Sequence, residues 1–266
     1  MKKLIVIAGP CVVESAELLK ITASKLIELS NKYNFDLIFK SSYKKANRTS
    51  SQSFVGIGDE LALSFLRMIK DTFKISVITD IHTPQEAEIA SQYVDILQIP
   101  AFLCRQTDLL QAAAKTGLKI NIKKGQFLPP DKIKGAIDKV TSAGNNQIMI
   151  TERGTFFGYN DLVVDFRSIP IMKKFGYPVI FDATHSLQQP SIGLESGGRK
   201  EFLKDLTRAA IAIGVDGIFF ETHPEPEIAK SDSATQIKLD EVEEYIKETI
   251  LLFEFVSSHI IDNREK

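Results

Sequence analysis

The chain has 266 residues, 44% hydrophobic and 25% charged, with a formal net charge of -1 at pH 7. That length and composition suit one large α/β barrel or two small domains with a sizeable core, and near-neutrality excludes a global basic field for nucleic acid or an anionic membrane. Two cysteines do not make a disulfide framework and fit a reducing compartment.

The N-terminal MKKLIVIAGPCVVES mimics a signal peptide. Its apolar run is short, however, broken by Gly9-Pro10 and followed by an amphipathic helical pattern, so it reads as a first strand. Seven further β-rich runs follow: DLIFKSS near Asp36, ISVITDI near Ile75, VDILQIP near Val94, KINIKK near Lys119, QIMITER near Gln147, PVIFDATH near Pro178 and GIFFETH near Gly217. Most are near-continuously apolar, as parallel strands covered from outside require.

The segments between them have helical periodicity. Leu19, Ala23, Leu26 and Ile27 share a face after the first strand. Thr83-Pro84-Gln85-Glu86 is a capping box with proline at the first helical position. Val242, Tyr245, Ile246 and Phe253 form a stripe on the last helix. No other window reaches the length of an apolar membrane span, since Asp216 interrupts AAIAIGVDGIFF, and a cytoplasmic protein is expected. No linker or fixed repeat appears. Strand–helix repeated eight times predicts a single (β/α)8 TIM barrel over residues 1–266. The alternative, a doubly wound open sheet, would usually show a Gly-rich first turn, which is absent.

Each strand begins apolar and ends in functional side chains. These are Cys11 after the first, Lys40 at the second, Asp80 and His82 at the third and Gln98 at the fourth. Asn121 and Lys123 follow at the fifth, Glu152 and Arg153 at the sixth, Asp182 and His185 at the seventh, Glu221 and His223 at the eighth. In a barrel these ends meet at one face, where active sites are built. A single such residue reads as a satisfied buried polar group; eight strands with the same habit do not, because core packing makes no such demand at one end only. The stretch FKSSYKKANRTSSQSF, Phe39 to Phe54, contains no acid and leaves the second strand at that face. Lys40, Lys45, Arg48, Lys123 and Arg153 would therefore converge around an anion, with phosphate and carboxylate as natural counter-ions. Ser196-Gly197-Gly198-Arg199 is a second phosphate-cradle candidate, expected to open a helix, with a plain turn as the alternative. Cys11, His185, Glu221 and Asp232 are metal-ligand candidates whose donors suit Zn²⁺, Fe²⁺ or Mn²⁺. His223 competes with them on residue type alone. Cys104 reads as an inert buried thiol, and His259 as a surface residue.

Together AGPCVVES, FKSSYKKANRTS, TDIH, LQIPAFLCRQTDLL, KKGQF, TERGTFFGYNDLVVDFRS, FDATHS, SGGR and ETHPEPEIAKSD resemble the 3-deoxy-D-manno-octulosonate 8-phosphate synthase family, in order and over nearly the whole chain. The resemblance implies a (β/α)8 homotetramer condensing phosphoenolpyruvate with D-arabinose 5-phosphate for lipopolysaccharide synthesis. It implies the metal-dependent class, because Cys11 stands where the metal-independent class has Asn. Cys11, His185, Glu221 and Asp232 are then the ligands and His223 is not. Lys40, Lys45, Lys123, Arg153 and Gln98 should hold phosphoenolpyruvate, with Asp80 also in the substrate site. Asn47, Arg48 and Thr49 should bind the sugar phosphate, Thr49 standing where serine is usual. Catalytic roles fall to Lys123 at the aldehyde oxygen and to Asp232, His185 and Cys11. The sister family that uses erythrose 4-phosphate has Lys-Pro-Arg-Thr where this chain reads Lys45-Ala46-Asn47-Arg48-Thr49, making Asn47 the main discriminator. The sequence also admits a non-catalytic sugar-phosphate-binding barrel or a metalloprotein with a structural ion.

Overall fold

In the computed structural model, residues 2–46, 54–156, 161–189 and 197–261 are described. Eight strands run in parallel: β1 (Ile5–Gly9), β2 (Asp36–Lys40), β3 (Ser76–Asp80), β4 (Ile96–Ile99), β5 (Lys119–Lys123), β6 (Ile148–Glu152), β7 (Val179–Asp182) and β8 (Gly217–His223). Each pairs with its sequence neighbour, and β8 pairs with β1 in register from Ile5↔Gly217 to Gly9↔Glu221. This closure makes a (β/α)8 barrel and eliminates the open sheet. All eight strands lie where the apolar runs predict them.

Helices α1 (Ala16–Tyr33), α2 (Asp59–Phe73), α3 (Pro84–Ser91), α4 (Thr107–Lys115), α5 (Lys134–Ser142), α6 (Ser168–Lys173), α7 (Leu203–Ile213) and α8 (Val242–Val256) wrap the outside. Their local signals are those of the sequence. Ser15 caps α1 by accepting from the Leu18 amide, and Thr83 caps α3 ahead of Pro84. The Glu86 carboxylate reaches back to the His82 amide at 2.8 Å, one residue earlier than in a standard capping box. Among the described residues no helix is long and apolar enough to cross a membrane.

Strand alternation builds two cores. Outward-facing residues such as Val6, Phe39, Val77, Leu97, Ile150, Phe181 and Phe220 pack against the helices. Inside the barrel, Ile7, Ile38, Ile78, Ile96, Met149, Ile180 and Phe219 make a second, separate cluster. Every strand except β5 contributes to it; Asn121 and Lys123 line the bore there. Two glycines let backbones approach. A Cβ on Gly9 would lie 2.1 Å from the Lys40 carbonyl oxygen, and one on Gly217 would lie 2.5 Å from that of Ile5. At the closed lower end Asp216 gathers Lys2, Lys173 and the Val179 amide, at 2.5, 3.2 and 2.8 Å. The floor is thus tied without using the mouth.

Candidate active site

The inner faces that are apolar below become polar at the C-terminal ends of the strands. Lys40, Asp80, Gln98, Lys123, Arg153, Asp182 and Glu221 are all buried there. Lys40 donates to Glu221 Oε1 at 3.1 Å, to Ser42 Oγ at 3.0 Å and to the Cys11 carbonyl at 3.2 Å. Lys123 pairs with Asp182 at 2.6 Å. Both ammonium groups lie over one ring, Lys40 at 5.6 Å and Lys123 at 4.2 Å from the Phe219 centroid. Arg153 Nη2 donates to the His185 carbonyl and to Gln188 Oε1, each at 3.0 Å. Lys45, also buried, is 3.8 Å from Asp232 Oδ2. Four of the five expected cations therefore surround the mouth. The fifth, Arg48, lies outside the described residues with Asn47 and Thr49. Lys44 turns away to Asp59 and Glu86.

Burial and mutual charge set the protonation of these groups. Burial opposes a charge on Asp80, but Lys40 and Lys45 outweigh it and hold the carboxyl well below the usual range. Asp182 is likewise held down against burial by His185 and Lys123. Glu221 is lowered by Lys40, His185 and Lys45 despite its burial. Lys123 shows the reverse balance: desolvation, with help from Lys40, lowers its pKa in spite of Asp182. Lys45 is raised, because Cys11, Glu221 and Asp232 together exceed its desolvation.

Beside the cations lies a cluster of metal-ligand type. Donor atoms of Cys11, Glu221 and Asp232 all lie within 4.8 Å of one another, although Cys11 and Asp232 stand near opposite ends of the chain. The strand closure brings this about, because the loops after β1 and β8 are neighbours. Cys11 Sγ is 2.9 Å from Asp232 Oδ2 and 3.0 Å from Ser231 Oγ. Burial, then the Asp232 and Glu221 carboxylates, push its thiol pKa up. His185 borders the trio, with Nε2 3.6 Å from Glu221 Oε1. Its Nδ1 faces Asp182 Oδ2 at 2.9 Å, which leaves Nε2 directed at the cluster. Asp232 has φ 50°, a left-handed conformation costing about 1–2 kcal/mol for a residue with a Cβ.

Ser42 and Gln188 had no expected role. Ser42 donates to Asp80 Oδ2 at 2.5 Å; its parity with Lys40 on one inward face is a signal that the sequence carries. Gln188 bridges Arg153 and Asp232, and nothing in its local pattern marks it. Asp182 is the partner that positions both Lys123 and His185. Conversely, Glu152 points outward from β6, 3.5 Å from the buried Lys124, because it has the parity of the outer-core Ile148 and Ile150. His223 stands apart from the trio: it accepts from the Glu225 amide and lies 3.7 Å from Glu14. His82 is held by Glu86 at 3.1 Å. The SGGR segment opens a helix at its last residue: Arg199 is the N-cap of a 3-10 turn, Lys200–Phe202, that runs into α7. Gly197–Gly198 pair with Gln188–Gln189 as a ribbon and α7 begins at Leu203; a Cβ on Gly198 would lie 2.1 Å from Thr235 Cγ2. Ser196 lies outside the described residues. Cys104 is buried and His259 exposed, as expected.

Comparison with known proteins agrees with this arrangement. Residues 1–255 match the DAHP synthetase I family. A 2-dehydro-3-deoxyphosphooctonate aldolase of Trichlorobacter lovleyi is 51% identical over 245 residues, 92% of this chain and 90% of the relative. A protein of the same name from Geobacter sp. is 51% identical over 247 residues, again covering 92% and 90%. A third, from Bartonella henselae, is 48% identical over 257 residues, covering 96% and 92%.

Proposed function

Since the chain belongs to the DAHP synthetase I family, we propose that its mouth carries out the reaction of the aldolases it resembles. It is an enzyme, a 3-deoxy-D-manno-octulosonate 8-phosphate synthase. It condenses phosphoenolpyruvate with D-arabinose 5-phosphate and water, releasing inorganic phosphate, in lipopolysaccharide precursor synthesis. The observation that carries the reading at residue level is the ring of buried cations, Lys40, Lys45, Lys123 and Arg153, beside a thiol–carboxylate cluster.

Phosphoenolpyruvate brings a carboxylate and a phosphate, and four buried cations at one mouth match that charge. Gln98 and Asp80 form the floor beneath it. Carbon 3 of phosphoenolpyruvate attacks the sugar aldehyde, water adds at carbon 2, and phosphate leaves with C–O cleavage. An enol ether is a weak carbon nucleophile, so the site contributes proximity and charge stabilisation. Lys123 is the proton donor to the developing alkoxide. Its lowered pKa makes that transfer easier, and Asp182 holds the ammonium in place. Asp232, with Glu221, takes the proton from the attacking water. Asn47, Arg48 and Thr49 hold the sugar phosphate.

The residues at the cluster fit a divalent ion such as Zn²⁺, Fe²⁺ or Mn²⁺. Glu221 Oε2 is buried without a hydrogen-bond partner among the described residues, an orphan that a cation would satisfy. Cys11, Glu221, Asp232 and His185 Nε2 would hold the ion. When bound it would supply Lewis acidity to the sugar aldehyde and acidify a water.

The resemblance also supports a homotetramer. Phe102, Phe127 and Phe156 are exposed on the loops that follow β4, β5 and β6, and neighbouring subunits would cover them. Two free thiols suit a cytoplasmic enzyme. The deciding experiment measures phosphate release from phosphoenolpyruvate with arabinose 5-phosphate or erythrose 4-phosphate, before and after chelation. Release only with the five-carbon sugar, lost on chelation and restored by a divalent ion, is expected. Release with erythrose 4-phosphate would move the enzyme to the sister activity, and release untouched by chelator would remove the metal. Binding without release would leave a sugar-phosphate sensor.

A further inference from the structure

Below the substrate cations, four strands share a belt of side chains that the chemistry above uses only in part. Asp80, Gln98, Asn121 and Thr151 face the bore from β3, β4, β5 and β6. Asp80 is in register with Gln98, and Gln98 with Asn121. Thr151 Oγ1 donates to Asn121 Oδ1 at 2.8 Å. Asn121 Nδ2 donates to Gln98 Oε1 at 2.9 Å. Gln98 Nε2 donates to Asp80 Oδ1, and Ser42 closes the line at Asp80 Oδ2.

Every bond runs toward Asp80, and donor inventory makes that sense unique. An ionised carboxylate only accepts, and although burial opposes its charge, Lys40 and Lys45 keep Asp80 ionised. Gln98 must therefore turn its nitrogen to Asp80 and its oxygen to Asn121. Asn121 must then turn its nitrogen to Gln98 and its oxygen to the Thr151 hydroxyl. A flipped Gln98 would set oxygen against carboxylate on one side and NH₂ against NH₂ on the other.

Asn121 and Thr151 are both fully buried, at 0% exposure, and their polar groups are bonded within the belt. Packing does not demand them. Each of the other seven strands contributes an apolar residue to the inner cluster and β5 contributes none, and burying a carboxamide such as that of Asn121 is unfavourable unless it is bonded. Lys123 and Arg153 lie two residues further on the same inward faces, directly toward the mouth.

We infer that Asn121 and Thr151 are positioning residues that lock the Gln98 carboxamide in one orientation, so that its second N–H is presented to an anionic group of phosphoenolpyruvate. This rests on the reading that Gln98 and the surrounding cations bind phosphoenolpyruvate. Asn121→Leu keeps the branching and the number of side-chain heavy atoms and removes the lock. Titration calorimetry with phosphoenolpyruvate alone, steady-state KM for both substrates and thermal melts are compared with the parent. Expected is an affinity for phosphoenolpyruvate about tenfold weaker, with the same rise in its KM, while KM for the sugar moves less than about twofold. Thr151→Val removes one donor and should weaken the same parameter about threefold, and Thr151→Ser should recover most of that. If Asn121→Leu does not fold, Thr151→Val with its serine rescue carries the test. Parent-like phosphoenolpyruvate binding in a folded variant would overturn the inference, as would an equal rise in both KM values. A parent that neither binds phosphoenolpyruvate nor releases phosphate would instead overturn the proposed function.

Discussion

Asp182→Asn isolates the pair that the proposed proton transfer depends on. Asp182 and Lys123 are 2.6 Å apart with side chains 0% and 7% exposed. The amide can still accept from the His185 backbone through Oδ1, where Asp182 now accepts at 2.8 Å. It would, however, turn an NH₂ toward the Lys123 ammonium. Removing one partner of a buried ion pair costs about 3–5 kcal/mol. That cost has a ceiling, because Lys123 can lose its proton instead. Deprotonating an ordinary lysine of pKa about 10.4 at pH 7 takes 1.36 × 3.4, or about 4.6 kcal/mol. At pH 9 the same step takes about 1.9 kcal/mol. A lysine whose folded pKa lies below its unfolded value leaves more protons on the unfolded chain, so stability rises with pH up to the unfolded pKa. Asp182→Asn should thus lose about 3–4.6 kcal/mol at pH 7 and regain up to about 2.7 kcal/mol of it by pH 9. Urea unfolding at both pH values, with chelator present, measures this. The double variant Asp182→Asn, Lys123→Met should recover most of the stability but no turnover. A single variant as stable as the parent at pH 7, or one with no gain at pH 9 relative to the parent, would refute the buried-pair reasoning.

Cys11→Ala should abolish metal-dependent turnover while leaving the fold intact, read by phosphate release alongside a thermal melt; normal turnover in the stripped variant would end the metal assignment. At the closed end, burial opposes the charge on Asp216, but Lys2, the Val179 amide and Lys173 hold its pKa down. Its stabilisation is therefore present above the unfolded carboxyl pKa and lost as pH falls through the folded one. Asp216→Asn should destabilise by about 1–2 kcal/mol at pH 7, with the difference from the parent shrinking below about pH 4; a difference that stays constant down to about pH 3 would contradict it. Gly9→Ala should fold poorly, because its methyl group would meet the Lys40 carbonyl at 2.1 Å; a parent-like melt and turnover would show that β1 and β2 can separate there at little cost.

Strand position was legible because it needs only short-range pattern. An apolar run between helical stretches marks a parallel strand wherever it pairs, and all eight runs became barrel strands. The polar ends were legible for the same reason, since parity along a strand tells which side chains enter the bore. Lys40, Asp80, Gln98, Lys123 and Arg153 follow that parity. Glu152 does not, and the error was one of counting position at the strand end while ignoring phase. What pattern could not reach is contact between distant loops. That Cys11 Sγ meets Asp232 depends on closure between β8 and β1, and on a left-handed turn at Asp232 that no periodicity encodes. Gln188 and Ser231 enter the site through such loops. The SGGR segment was legible in part: Arg199 caps the helical turn that leads into α7, while the ribbon that presses Gly198 against Thr235 is another contact between distant loops.

The two inner zones of the barrel divide the work of folding and chemistry. The apolar cluster around Ile7, Met149 and Phe219 lies beneath the mouth and meets it where Lys40 and Lys123 approach the Phe219 ring, and Asp216 ties the far end with its own cations. The mouth can then hold several buried charges whose mutual pairing leaves groups perturbed in opposite directions: Lys123 lowered, Lys45 raised, Asp80, Asp182 and Glu221 held ionised. A buried cluster of this kind is a weak source of stability, so stability alone does not account for it. For the proposed reaction its worth lies in pre-oriented charge, because a substrate with two anionic groups would meet cations already desolvated and already aimed. On that view mouth variants should alter binding and rate more than they alter the melt whenever both partners of a pair are removed together, whereas floor variants should do the reverse.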